Sequence, residues 1–504
     1  MTQSSTVRGL RSAAICIGAL ALQGCGPQDR STDAPEIPAA EAIAKVPVTT
    51  DSDEALALYE QGLALLDNLH IVEANDRFQQ AVAADPGFAM GYFMLANTSQ
   101  MAAGFFDAVG RANDNAATAS DGEQLYVRAL VAFSQNDQDE QLAALSELVG
   151  MFPHDERVHM QLGSYYNGQQ DFVSAIRHFQ KSIAINSRFA PAYNALGYAY
   201  RSADDLGAAK SAFAKYIELI PDEANPYDSY AELLMELGSY DESIENYRKA
   251  LAIDSKFSAS YAGISVNHSL KGEDQRAQEV AKEMLAASRN FAERQNALFR
   301  SVTSYLFAGN LDAAMQVSEQ MASEAEAIGN HAAMGGVHEY MGDILLDSGD
   351  AEKAMEHYDS ALDHRQQADS NDANQAQAAR AHLFKSAIAA MVAGDFDTAA
   401  SKVKEYRLAA EAEGTAFEKR RIHELHAFLA MGNEDYESAA AHFDLASQLE
   451  PLVLFWSAVV NKELGNTDKA TELAKRAAYR NTLSPNLPLV HSEALQLLEE
   501  MQAV

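Results

Sequence analysis

Residues 190–223 read APAYNALGYAYRSADDLGAAKSAFAKYIELIPDE, and the order of large and small apolar side chains in these thirty-four positions decides the fold. Tyr193, Leu196, Gly197 and Tyr200 stand three and four apart, so they share one face of a 3.6-residue helix. Ser202–Asp205 interrupts the pattern; Ala209, Phe213 and Tyr216 resume it on a second helix, and Pro221 ends that helix. Glycine inside a helix costs about 1 kcal/mol against alanine. A helix-crossing contact with no room for a Cβ is therefore expected at Gly197. A single helical hairpin would carry the same signals, so recurrence is the deciding observation.

The pattern recurs. Units begin at Glu156, Ala190, Ala224 and Ser258, each thirty-four residues after the last. Leu162, Gly163, Tyr166, Ala175 and Phe179 hold the marked places in the first of these, and Tyr227, Tyr230, Ala231, Leu234, Tyr247 and Ala250 in the third. An earlier unit near Ala55 shows Leu58, Gly62, Leu65, Ala74, Phe78 and Ala81, and degraded units start near Ala89 and Gly122. Beyond about Asn290 the turn glycines Gly309, Gly349 and Gly394 lie forty and forty-five residues apart, so helices or loops have lengthened there. The proline positions agree without using the apolar pattern. Pro86, Pro153, Pro221 and Pro451 fall at the ends of second helices, and Pro191 and Pro226 in first turns, where a missing N–H costs nothing.

These residues and this period resemble the tetratricopeptide repeat, a helix–turn–helix unit of the same length. The resemblance implies an all-α fold: a right-handed superhelical solenoid of antiparallel helix pairs, here about twelve units. The amphipathic tail Pro488–Met501 reads as a cap for the exposed end of the stack.

The N-terminus carries an address. Arg8 and Arg11 precede the apolar run Ala13–Leu22, followed by Leu22-Gln23-Gly24-Cys25. A basic region, a short apolar region and a small residue before the cut describe a secretory signal; the run is too short to span a bilayer. The ending resembles the lipobox of bacterial lipoproteins, which implies lipidation of Cys25. A non-lipidated signal with an incidental Cys25 would look alike in its basic, apolar and small-residue regions. Gly26 stands where inner-membrane lipoproteins often carry Asp, so the resemblance implies an outer-membrane anchor facing the periplasm. Residues 26–50 hold four of the twelve prolines and almost no large apolar side chain, the composition of a mobile tether. The expected layout is a signal over 1–24, lipidated cysteine and tether over 25–50, a regular array over 51–290, looser units over 291–480, and a capping helix over 481–504.

Composition narrows the function. A formal charge of −34 and 47% apolar residues describe a soluble, acidic chain with enough apolar surface for a continuous core. Nucleic acid and anionic membrane surfaces are excluded as general partners, because phosphate binding needs clustered Lys and Arg. The two cysteines, Cys16 and Cys25, both lie in the leader region, so no disulfide framework or thiolate metal site exists downstream.

Enzymatic signatures are nearly absent: the chain has no nucleophile elbow, Walker loop, dinucleotide fingerprint or H-E-x-x-H. His423 and His426 share a helix face but read as a part-buried pair rather than a metal site, and Ser401 with Lys404 reads as coincidental S-x-x-K spacing. Neither a cofactor nor a metal is expected. What remains is surface. In the resembled family, first-helix positions two, five, nine and twelve face the concave groove. The last three carry over to Met160, Ser164 and Asn167; Asn194, Tyr198 and Arg201; and Asp228, Glu232 and Met235. Tyr198 and Arg201 are residue types enriched at binding hot spots, and Asp228 with Glu232 would favour a cationic group. The carboxylate clamp of chaperone-binding relatives, Lys at position five and Asn at position nine, is missing from these three units.

The expectation is thus a non-catalytic scaffold, lipid-anchored at the outer membrane, holding proteins or peptides in its groove at Asn194, Tyr198, Arg201, Asp228 and Glu232. The alternative is a periplasmic enzyme or a small-ligand or metal binder. Its site would lie in the less regular half, where His331, His338, His357, His364 and His382 gather. Oligomeric state is not legible.

Overall fold

The structure is a computed structural model that describes residues 45–99, 101–368, 370–480 and 482–502. The expected leader, Cys25 and the expected tether as far as residue 44 lie outside the described residues. Among the described residues there are twenty-five α-helices, one 3-10 turn and no strand. They run as twelve successive helix pairs followed by the helix Leu487–Gln502, so the expected all-α array and its number of units are both found.

The thirty-four-residue period has a simple origin. From Glu156 to Ala287 every first helix has 13 residues and every second helix 14, as in Ala190–Ser202 and Leu206–Leu219. From Phe291 to Gly432 the helices themselves lengthen, to 17 residues in Phe291–Phe307 and His331–Asp347 and 21 in Asp372–Val392, before shortening again to 8 in Tyr436–Phe443 and 13 in Pro451–Glu463. Each added turn shifts the next glycine without disturbing the pairing. The turns share one design: a residue in the left-handed region precedes the cap of the second helix. Gly238, Gly272, Gly309, Gly349, Gly394 and Gly465 fill this place at no steric cost. Asp204 takes it at φ 69°, and Asp205 then caps Leu206–Leu219 by accepting from the Ala208 N–H at 2.9 Å.

Gly197 behaves as expected. A Cβ placed there would lie 2.5 Å from the ring of Phe213, which is fully buried. The same contact joins Gly62 to Phe78, Gly163 to Phe179 and Gly342 to Tyr358. These four pairs of helices are therefore each locked by an aromatic ring seated on bare backbone.

The described residues form two compact units, 45–229 with 370–373, and 230–368 with 374–502. In the first, Tyr59, Phe78, Phe88, Phe93, Tyr126 and Phe152 build a buried aromatic core. The end of its first helix, Asp53–Asp67, reaches well beyond its neighbours. Arg157 donates to Asp67 at 2.9 Å, while Asn68 and His70 meet Glu223 at 3.2 and 3.0 Å. Residues 45–50, read as the end of a mobile tether, are instead held against this unit. The tie is made by side-chain carboxylates many residues away, which leave no periodic trace in sequence.

In the second unit one core runs from Leu298 to Leu498 and includes Trp456, the only tryptophan of the chain. Leu487–Gln502 packs on the preceding helix Thr467–Tyr479, as a cap does, and also on Phe291–Phe307 at the far end of the same core. Tyr340 donates to the Pro485 carbonyl at 3.2 Å, and the rings of Phe307 and His491 meet edge to face at 5.7 Å. A solenoid with nearest-neighbour contacts alone would leave these surfaces open; here the last helix closes them.

Buried charge is concentrated in the same unit. Lys385 donates to Asp343 at 2.6 Å and Tyr358 donates to the same carboxylate at 2.8 Å, all three fully buried. Burial pushes the Asp343 carboxyl up against the opposing pull of Lys385. Arg380 and Glu418 form a second buried pair at 2.7 Å.

Candidate interaction surface

Three of the expected groove residues lie on Ala190–Ser202. Tyr198 is half-buried: its ring stands edge-on to Phe213 at 5.1 Å, and its hydroxyl donates to Ser229 at 3.3 Å. The guanidinium of Arg201 lies 4.9 Å over the Tyr198 ring, within reach of a cation–π contact. Arg201 itself stays partly exposed. Tyr198 is therefore a packing residue that carries Arg201 on its face.

The Oδ1 of Asn194 is buried without a protein donor, and so is that of Asn167 on the preceding first helix, Glu156–Gly168. A buried acceptor left unpaired costs about 1–3 kcal/mol, which an incoming N–H would recover. Asp228, expected to attract a cation, is only 7% exposed, and Met235 is fully buried. The first helices of successive repeats touch here, with Tyr198 bridging to Ser229, so the short side chain of Asp228 beside that contact is covered. Glu232, in the second unit, and Met160 and Ser164, in the first, remain partly exposed.

The best-defined binding geometry was not among the expected residues. Lys45–Thr50 runs extended across the first turns of Asp121–Ser134 and Glu156–Gly168. Val46 N–H donates to Asp155 at 3.0 Å, Thr49 N–H to Glu123 at 2.8 Å, and the Lys45 ammonium to Glu156 at 2.5 Å. In return the Ser120 hydroxyl donates to the Pro47 carbonyl at 3.1 Å. Gly122 admits the segment: a Cβ there would sit 2.7 Å from Val46 and 2.6 Å from Phe152. Burial works to raise the Glu156 carboxyl, but Lys45, its own backbone N–H and Asn186 hold it below the ordinary range. The only sequence signal was a concentration of acids in two first turns, which the helix dipole alone would explain. An open groove of about 610 Å³ on the same unit is lined by Leu125, Val131, Met151 and Arg128, the last engaged by Glu140 and Glu147.

The residues considered for chemistry fall as follows. Ser401 and Lys404 are exposed on Phe396–Glu413, the serine facing Glu405. His423 and His426 both meet His442, the first through Nδ1 at 3.1 Å and the second by stacking at 5.2 Å. His331, His338, His357 and His364 come together, whereas His382 is engaged by Asp359 at 2.7 Å. Among the described residues no group of three or more His, Cys, Asp or Glu could hold a metal ion, and no helix is long and apolar enough to cross a membrane.

Comparison with known proteins finds the repeat directly in two units. Residues 190–223 and 224–257 each match the tetratricopeptide-repeat family model. Among curated proteins, the general transcriptional corepressor trfA of Dictyostelium discoideum is 28% identical over 138 residues. That match spans 26% of this chain and 9% of the relative. Among solved structures, MamA is 24% identical over 33% of this chain and 94% of its own, with a TM-score of 0.28. The Cut9 and Hcn1 hetero-tetramer structure is 14% identical, covering 84% of this chain and 76% of that one, with a TM-score of 0.40. The chain carries tetratricopeptide repeats in an all-helical solenoid, the architecture of a protein–protein interaction scaffold.

Proposed function

We propose that this protein is a non-catalytic adaptor that holds extended segments of partner proteins along its first helices. It would do so at a bacterial outer membrane, facing the periplasm, anchored by a lipid on Cys25. One observation carries the binding mode: the chain already binds an extended segment of its own, Lys45–Thr50, through carboxylates on two first helices. The unpaired acceptors of Asn167, on the second of these helices, and of Asn194, on the next first helix, support the same mode, since a peptide backbone supplies the N–H groups they lack. Arg201, displayed on Tyr198, adds a forked donor for an acidic or carbonyl-rich partner.

A photo-crosslinking side chain at Arg201 tests the groove, with one at Lys210 on Leu206–Leu219 as the convex control. The expected result is a discrete protein adduct from Arg201 that maps to a short extended segment, with none from Lys210. Adducts from Lys210 alone would discard the groove. The anchor is tested separately: Cys25→Ala should move the protein from the membrane fraction to the soluble one, and unchanged fractionation would refute lipidation.

A further inference from the structure

Nine of the fourteen histidines fall into three clusters, and each cluster is built on the same register. His159 with His178, His338 with His357 and His423 with His442 are each nineteen residues apart. In every case the first stands four residues before the small residue of its unit, Gly163, Gly342 or Ala427. The second immediately precedes the locking aromatic, Phe179, Tyr358 or Phe443. The fold does not require histidine there: the unit from Ala190 places Tyr193 and Ala212 at these two positions.

The rings meet through Nδ1 at 3.2, 3.0 and 3.1 Å, with planes 31–32° apart. That is a head-on N–H···N hydrogen bond, in which one imidazole donates and the other offers a bare lone pair. For the first pair the tautomers follow. His159 Nε2 faces the Pro153 carbonyl at 3.1 Å, and a carbonyl only accepts, so Nε2 carries the His159 proton. Its Nδ1 is then bare and accepts from His178. A proton added to His159 Nδ1 would set two N–H groups against each other.

We propose that these imidazole pairs are acid-operated joints between the two helices of a repeat. Both rings take up protons as the medium turns acidic, the Nδ1 contact becomes repulsive, and the helix pair opens. The cluster of four histidines is the most developed joint. His331 and His364 meet through Nδ1 at 3.3 Å, and the His364 ring lies 5.4 Å from that of His338. A cavity of about 290 Å³ beside them is lined by His338, His364, Glu319 and Glu326. Protonated rings that leave their partners have those two carboxylates, on Leu311–Glu326, to turn to. The other charged groups around the cluster are Glu356 beside His357, Arg365 bound to Glu339, and Asp359, which faces His382 on Asp372–Val392. Lys181, Arg177, Asp155 and His154 surround the first pair, and Arg407 and Glu411 the third.

The electrostatics point the same way. Burial first, and the neighbouring imidazole second, hold His178 and His338 down to about 4, and burial holds His357 and His423 below the ordinary range. A histidine whose folded pKa is depressed contributes stability that is present above its unfolded value of about 6.5 and is lost as pH falls below it. The joints are closed at neutral pH and open in acid.

Imidazole NMR of the full chain with labelled histidine, titrated from pH 7.5 to 3.5, tests the coupling. His338 should titrate well below the ordinary range in the wild type and move up toward it in His357→Gln. Titration near 6.5 in both proteins would overturn the proposal. A variant with His338→Tyr and His357→Ala restores the residue types of the Ala190 unit and keeps the fold testable. Small-angle scattering of the wild type should show expansion between pH 7 and 4, with this variant showing a smaller expansion. Superimposable pH profiles for the two proteins would also overturn it.

Discussion

Gly197→Ala and Gly110→Ala are the same change in two helices, and the structure assigns them opposite signs. Replacing helical glycine by alanine gains about 1 kcal/mol from backbone entropy at either site. At Gly110, exposed on Ala102–Asn115, the new Cβ meets nothing within 4 Å. The gain there is kept whole. At Gly197 the Cβ would lie 2.5, 2.7 and 2.7 Å from three atoms of the Phe213 ring. Ordinary carbon contacts are near 3.5–4.0 Å, and the ring, with no exposure to solvent, has nowhere to move. Overpacking of this kind costs about 1–3 kcal/mol, so the net effect is a loss of up to about 2 kcal/mol. Repeat arrays open in parts. The assay is therefore hydrogen exchange of the amides in Ala190–Ser202 and Leu206–Leu219, compared with urea midpoints for Gly110→Ala. Phe213→Leu in the Gly197→Ala background should recover about 1 kcal/mol or more relative to its cost alone. Equal stabilisation by both alanines would refute the account of the locking aromatic.

Three further outcomes are expected. Lys385→Met leaves the Asp343 carboxylate buried without its ammonium partner and should destabilise the second unit by about 3–5 kcal/mol. Adding Asp343→Leu should recover most of that, read through the fluorescence of Trp456. Gly349→Ala forces a side chain into a left-handed turn at φ 87° and should cost about 1 kcal/mol, whereas Asp204→Gly at the equivalent turn should be neutral or slightly stabilising, both measured by thermal melts. Asp155→Asn with Glu156→Gln weakens the clamp on Lys45–Thr50 and should make the Lys45 bond susceptible to trypsin. Acid should do the same in the wild type: Glu156 is held below its ordinary pKa, so its contribution is present above about pH 4.3 and lost as pH falls.

Local periodic signals carried most of the fold. Tyr193, Leu196, Gly197 and Phe213 announce a helix pair, and the pair is found with Gly197 seated against Phe213. The lengthened spacing after Asn290 matches longer helices, because the added residues lie inside the helices and the left-handed turn glycines Gly309, Gly349 and Gly394 are kept. What stayed hidden depends on residues far apart in the chain. Val46 and Asp155 are 109 positions apart, and Tyr340 and Pro485 are 145 apart; no window of apolar periodicity contains both members. The groove residues were legible as to helix and only partly as to exposure. Tyr198 and Asp228 lie where successive first helices meet, and the packing of one unit on the next decides what the solvent sees. The histidines were visible as a group, but their pairing required two helices to be placed side by side.

The last helix of the second unit has a consequence for how this chain could change over time. An open array gains or loses whole repeats with little penalty, because a new unit needs to fit only the two beside it. In this unit Leu487–Gln502 must meet Phe291–Phe307 as well as Thr467–Tyr479. Inserting or deleting one repeat between those ends would carry the final helix past its second seat. The copy number of repeats from 291 to 479 is therefore set by closure. Variation in length has to be absorbed inside the helices, where the turns added after Asn290 already lie.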